Sequence, residues 1–178
     1  MHDDDTLDDF DLRILARYQH DTQVPARTIA GAVGLSTAAV QRRLQRLRAT
    51  GVIRREVAEL EPAAVGRPVT CVVSVDLERE RVADLERFKR RMLALPEVQQ
   101  CYYVTGAADF LLIVLVASMA DYDAFTQRAL LDDDNVKSFV TTIVMDRVKT
   151  GVAVALGPRP AAIPARSRRR PRTGGASR

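Results

Sequence analysis

The chain has 178 residues, 47% of them hydrophobic, and a formal net charge of +4, enough apolar material for one large domain or two small ones. No apolar run approaches the roughly 18 residues of a membrane-spanning helix, and the acidic start MHDDDTLDDF lacks a secretory apolar stretch, so a cytoplasmic protein without a membrane partner is expected. The charge is unevenly spread: residues 157–178 hold seven arginines and no acid, which leaves 20 basic against 23 acidic side chains in the remainder.

After an acidic tail over residues 1–6, residues 7–60 predict three helices and a short hairpin. In LDDFDLRILARY, Asp8 can cap a first helix with Asp11 three residues on, and Ile14, Leu15 and Tyr18 fall on one inner face. Pro25 suits the start of a second helix containing Ile29 and Val33, Gly34 breaks it, and Ser36 is placed to cap a third. Along that third helix Val40, Leu44 and Leu47 share a face. Ala38, Gln41, Arg42, Gln45 and Arg46 cluster opposite, with Arg43 and Arg48 on the flanks. Gly51 is a helix stop, and GVIRREVAEL then offers two short strand-like runs.

EPAAVGRP, residues 61–68, has the prolines and glycine of a linker. From residue 69 the pattern changes. VTCVVSVDL alternates, with Cys71, Val73, Val75 and Leu77 on one side. Residues 79–95 space Val82, Leu85, Phe88, Met92 and Leu95 as an amphipathic helix, and EVQQCYYVTG and DFLLIVLVA read as two strands joined by a glycine turn. A second helix puts Met119, Tyr122, Phe125 and Ala129 inward, and VKSFVTTIVMDRVK is a last strand. The order β-α-β-β-α-β over residues 69–156 is ferredoxin-like, with GVAVAL at 151–156 as an added edge strand and residues 157–178 disordered by composition. Cys71 and Cys101, far apart in strand-like segments, read as packed thiols without a disulfide. The fold class is therefore α+β: an N-terminal winged helix-turn-helix followed by a ferredoxin-like βαββαβ domain.

FLLIVLV is apolar on both faces, whereas a four-stranded sheet covered by helices on one side should leave its other face wet. A second copy is the simplest cover, so a homodimer through sheet faces is expected, with room for larger assemblies.

Six arginines lie within fourteen residues (Arg42, Arg43, Arg46, Arg48, Arg54, Arg55), among apolar residues that keep helical spacing. Charge runs usually mean only a solvated face. Here the glycine turn, the cap, the inner stripe and the following hairpin agree on a helix-turn-helix whose third helix fits a major groove of double-stranded DNA. Ser36, Thr37 and Ala38 are small enough for close backbone approach at a helix N-terminus, where the hydroxyls can bond phosphate. Gln41, Arg42 and Arg46 have the forked geometry that reads adenine and guanine edges, and Arg43, Arg54 and Arg55 suit phosphates.

LDDFDLRIL, IAGAVGLSTAAVQRRLQRLRATGVIRR, QCYYVTGAADFLLIV and VTTIVMDRVK, in that order, resemble the Lrp/AsnC (leucine-responsive, feast/famine) transcriptional regulators over about residues 7–156. The resemblance implies a winged helix-turn-helix, a dimerising ferredoxin-like effector domain, assembly up to octamers and an amino-acid effector. It also implies an effector pocket between assembled dimers, built from a Gly-x-x-Asp-Tyr/Phe loop, here Gly106 to Phe110, and from hydroxyls of the last strand. On that basis Asp109 would take the ligand ammonium, while Thr105, Gly106, Thr141 and Thr142 would hold its carboxylate. Read without the resemblance, the same residues make a plain hairpin: Gly106 for a positive φ, Asp109 at a strand start, threonines as strand formers. Ala107 and Ala108 make this loop less polar than the family pattern.

Two rivals come from other classes. Some haem-biosynthesis decarboxylases resemble the same family and work near histidines, but this chain has only His2 and His20, neither suited to a tetrapyrrole site. It also lacks a nucleophile motif, a phosphate loop and metal-ligand spacing, so no catalytic residue, metal or cofactor is expected, and Asp132, Asp133 and Asp134 read as a solvated loop. The second rival is a nucleoid-type protein that coats DNA with little sequence choice. The basic tail stays open between an arm on phosphates and an inert extension.

Overall fold

The computed structural model describes residues 7–157; the acidic residues 1–6, with His2, and the arginine-rich tail from residue 158 lie outside the described residues. What is described falls into two compact units, one built from the chain up to Glu56 together with the chain from Gly151, the other from Val57–Thr150.

The first unit holds helices α1 (Asp9–Tyr18), α2 (Ala26–Val33) and α3 (Thr37–Ala49). Asp8 and Asp11 form a reciprocal capping box at the start of α1: each carboxylate accepts from the other's backbone N–H, at 2.8 and 3.1 Å. The α2 helix ends on Gly34 at φ 76°, a left-handed position that glycine occupies without Cβ strain. Ser36 then accepts the Ala39 N–H at 3.2 Å and opens α3. Ile14, Tyr18, Ile29, Val33, Val40 and Leu44 close the core, as their spacing implies, and each fully buried aliphatic contributes roughly 2 kcal/mol of transfer free energy.

The expected hairpin is not formed: residues 52–60 carry no strand, so the described residues contain no β wing at this place. Tertiary partners outcompete self-pairing. The Ile53 N–H bonds the Leu47 carbonyl at 2.9 Å, its side chain packs on the helical core, and Glu56 is drawn to Tyr18 and Arg48. Nor does GVAVAL add a strand to the sheet; residues 151–156 belong to the first unit.

The second unit is an antiparallel sheet in the order β2-β3-β1-β4, from β1 (Val69–Leu77), β2 (Val98–Tyr103), β3 (Phe110–Val116) and β4 (Val136–Ile143). Helix α4 (Val82–Ala94) and helix α5 (Met119–Thr126), which runs on as a wider π turn over Gln127–Leu131, provide its other apolar face. Cys71, Val73, Val75 and Leu77 of β1 and Phe110, Leu112, Val114 and Val116 of β3 pack with Phe88, Met92, Tyr122, Phe125 and Ala129. Val82 and Met119, expected inward, sit at helix starts and are exposed. Register pairs Cys71 with Val114 and Cys101 with Leu112, so a strand separates the two free cysteines, about 10 Å and beyond disulfide reach. Asp133 is not the solvated residue its neighbours suggested: it is buried, accepting from Arg91 at 2.7 Å and from the Asn135 N–H at 3.0 Å.

Candidate nucleic-acid interface and effector region

The third helix presents two different arginine surfaces. Burial of Val40, Leu44 and Leu47 turns Gln41, Arg42 and Gln45 outward, and Ser36, Thr37 and Ala38 are exposed at its N-terminus. Arg54 and Arg55 are also exposed, and among the described residues neither they nor Arg42 has a carboxylate partner.

Arg43 and Arg46 differ. Arg43 donates from Nη1 to Asp8 at 2.7 Å and to Asp11 at 2.8 Å, and Arg46 donates to the other oxygen of Asp11. Arg43 also lies 5.6 Å from the Phe10 ring. Asp11 has no exposed surface, so the carboxylate that caps α1 also fastens α3 to it. Expected as a phosphate contact and a base reader, these two guanidinium groups are turned to α1. The pattern Asp8-x-x-Asp11 read as a cap alone; its second use depends on how α3 crosses α1, which spacing does not encode. Burial opposes ionisation of Asp8, but the Asp11 backbone N–H and Arg43 outweigh it and hold the carboxyl below its ordinary range.

Arg48 completes a second cluster. It donates to Glu56 at 2.9 Å and to the Tyr18 hydroxyl at 2.6 Å, and that hydroxyl donates to Glu56 at 2.8 Å. The Tyr18 hydroxyl first, and Arg48 second, lower the Glu56 pKa; burial and then Glu56 raise that of Tyr18.

In the second unit the five expected effector residues have different surroundings. Asp109 is part of the sheet's scaffold: its carboxylate accepts the Leu77 N–H at 2.7 Å, where the β1–β4 register slips, and its own N–H bonds the Val75 carbonyl at 3.0 Å. Gly106 takes φ 137°, strained for any L side chain, and is exposed beside Thr105. Thr141 and Thr142 point to opposite faces, because side chains alternate along a strand. Thr141 pairs with Val73 on the helix side and bonds the Tyr122 hydroxyl, while Thr142 pairs with Val72 on the open side. Burial raises the pKa of Tyr122. None of the five lines the cleft of about 700 Å³ bounded by Glu59, Glu61, Thr70, Asp146 and Arg147.

The open sheet face carries Val72 on β1, Leu111, Ile113 and Leu115 on β3, and the exposed Tyr102 and Val140. Among the described residues no three His, Cys, Asp or Glu side chains gather as metal ligands, and no helix is long and apolar enough to cross a membrane.

A helix-turn-helix unit and an antiparallel α+β unit in one chain define the class of a two-part DNA-binding regulator. The AsnC-type helix-turn-helix domain matches residues 7–48, and the Lrp/AsnC ligand binding domain matches residues 70–154. The HTH-type transcriptional regulator y4tD of Sinorhizobium fredii, itself described as uncharacterised, is 46% identical over 84% of this chain and 89% of its own. A solved AsnC family transcriptional regulator from Agrobacterium tumefaciens superposes with a TM-score of 0.79 at 34% identity, over 84% of this chain and 97% of that one. A regulator of Neisseria meningitidis, solved in complex with L-Met, gives 0.78 at 27% identity, over 85% and 97%. The chain belongs to the Lrp/AsnC family of transcriptional regulators.

Proposed function

We propose that this regulator reads duplex DNA with the outward face of α3, as a homodimer whose paired α3 helices enter successive major grooves of a pseudo-palindrome. The observation that carries this reading is the division along α3: the inner stripe is buried, Arg43 and Arg46 brace the helix against α1, and Gln41, Arg42 and Gln45 face solvent together. Gln41 and Arg42 are the base readers, joined by Gln45, which replaces Arg46 in that role. Ser36, Thr37, Ala38, Arg54 and Arg55 meet the backbone, and Arg43 holds the scaffold.

The dimer forms through the open sheet face, and larger assemblies, up to an octamer, complete the effector site. The effector is an amino acid or a close relative of one, in line with the L-Met complex of the Neisseria regulator. Thr105 and Gly106 present a hydroxyl and backbone to it, and Asp109 fixes their loop. The protein is a cytoplasmic, nucleoid-associated regulator and not an enzyme.

Arg42→Ala should weaken binding to a selected operator by about 1–3 kcal/mol and relax preference at one base position, since that is the effect of a lost bidentate contact. Fluorescence anisotropy on operator and single-mismatch duplexes measures it. An equal loss on every duplex would make Arg42 a phosphate contact. No operator preference in the parent protein would favour the DNA-coating alternative.

A further inference from the structure

The cleft of about 700 Å³ lies entirely within the second unit, and none of the expected effector residues lines it. It sits at the end of β1 and β4, on the open side of the sheet. Thr70 alternates with the inward Cys71, and its carbonyl accepts the Val144 N–H at 2.9 Å. Glu59 and Glu61 before β1, and Asp146 and Arg147 after β4, complete its polar wall.

Thr70 is the informative residue. It lines the cleft and is only 7% exposed, and among the described residues its hydroxyl has no hydrogen-bond partner. Buried hydroxyls are nearly always partnered, so an orphan beside a polar cleft points to a group that the cleft receives. The surrounding charge indicates its sign. Three carboxylates face one guanidinium, and Arg147 already lies 3.9 Å from Glu61. Glu59 and Asp146 have no ion pair among the described residues. A ligand with a carboxylate of its own would meet a net negative wall. A divalent metal would need the carboxylates to converge, and among the described residues no three acidic, His or Cys side chains do so.

Two separated positive ends suit two separate carboxylates. An ammonium group also brings three N–H donors, so a hydroxyl acceptor beside a carboxylate is complementary to it. Leu60, Pro68 and Val144 give the methylene chain between the ends an apolar surface.

We propose that this cleft binds a linear aliphatic diamine, with Glu59 and Asp146 holding its ammonium groups and the Thr70 hydroxyl accepting from one of them. The site is separate from the loop of Thr105, Gly106 and Asp109. It is also independent of DNA reading, because every group it uses belongs to the second unit.

Isothermal titration calorimetry of the full chain with putrescine and cadaverine tests it, at fixed ionic strength. Butylamine, L-lysine and magnesium chloride serve as comparators. One diamine should bind saturably, one per chain, and about tenfold more tightly than butylamine, which lacks the second charge. Thr70→Val keeps the shape and removes the hydroxyl, and should weaken binding about tenfold, the effect of losing a hydrogen bond to a charged group. Glu59→Gln with Asp146→Asn, at exposed positions where the fold should survive, should weaken it further. Circular dichroism checks that each variant is folded. Absence of saturable diamine binding overturns the site and leaves DNA reading, measured by anisotropy, untouched. Parent-like affinity in the carboxylate variant overturns the placement, and parent-like affinity in folded Thr70→Val overturns the role of the hydroxyl. Magnesium binding as tightly as the diamine, or L-lysine binding more tightly, overturns the diamine as ligand.

Discussion

The Asp11 side chain has no exposed surface, caps α1, and accepts from both Arg43 and Arg46. Those guanidinium groups are partly exposed, at 25% and 31%, so they can rehydrate when the carboxylate is removed. Asp11→Ala should therefore cost less than the loss of a fully buried pair, on the order of 2–3 kcal/mol, which urea denaturation of the helical unit measures. A cost below about 0.5 kcal/mol would mean that water replaces the carboxylate without penalty. Glu56 gives a pH signature. Its folded pKa lies below the ordinary 4.5 because Tyr18 and Arg48 favour the charged form. A depressed carboxyl stabilises the fold above its unfolded pKa and loses that contribution as pH falls through the folded value. The advantage of the parent over Glu56→Gln should thus be present at neutral pH and vanish below the 4.5 mark, in denaturation curves taken at several pH values. A difference that persists undiminished at acid pH would assign it to shape and not charge.

At the scale of elements, β3 explains the core and carries the face of the proposed dimer. Its residues alternate between buried and half-buried, yet all seven are apolar. One set, Phe110 to Val116, packs under the helices, while Leu111, Ile113 and Leu115 lie on the open face beside Val72, Tyr102 and Val140. Ile113→Glu adds a charge where a partner's sheet would bury it, but the side chain is half-exposed in the single chain and its fold should survive. If the proposed dimer forms through this face, light scattering should show the parent at twice the mass of one chain and the variant at that of one chain, with the far-ultraviolet spectrum unchanged. A variant that stays dimeric removes this face from the interface. The same alternation decides the last strand: Thr141 and Thr142 look like one hydroxyl pair in sequence, and a two-residue period sends them to opposite faces.

At the scale of the molecule, the unit from Val57 to Thr150 is inserted between the two stretches that make the DNA-reading unit, and each unit has its own apolar core. Separate cores favour separate unfolding. Calorimetry should resolve two transitions, and an amino-acid ligand present at about a hundred times its Kd should add about 2.7 kcal/mol to the effector unit's transition alone. One transition, shifted as a whole, would show that the units unfold together.

Periodicity and punctuation made most of this fold legible. Asp8, Gly34 and Ser36 mark helix ends by local hydrogen-bond and φ requirements, and the buried residues Val40, Leu44, Leu47, Cys71, Val73 and Val75 follow from periods of 3.6 and 2. These properties act over a few residues, so the amino-acid order by itself determined the helices, the four strands and the exposure of Gln41, Arg42 and Gln45 on α3. What Arg43, Arg46, Glu56, Asp109 and Thr141 touch was decided only by the tertiary structure. Their partners lie 8 to 38 residues away or are set by register, as in Arg48 with Glu56, Arg43 with Asp11 and Tyr18 with Glu56. The hairpin did not form because the end of α3 takes the Ile53 N–H onto the Leu47 carbonyl, whereas the backbone groups of Val154 are met by Gln19, 135 residues away.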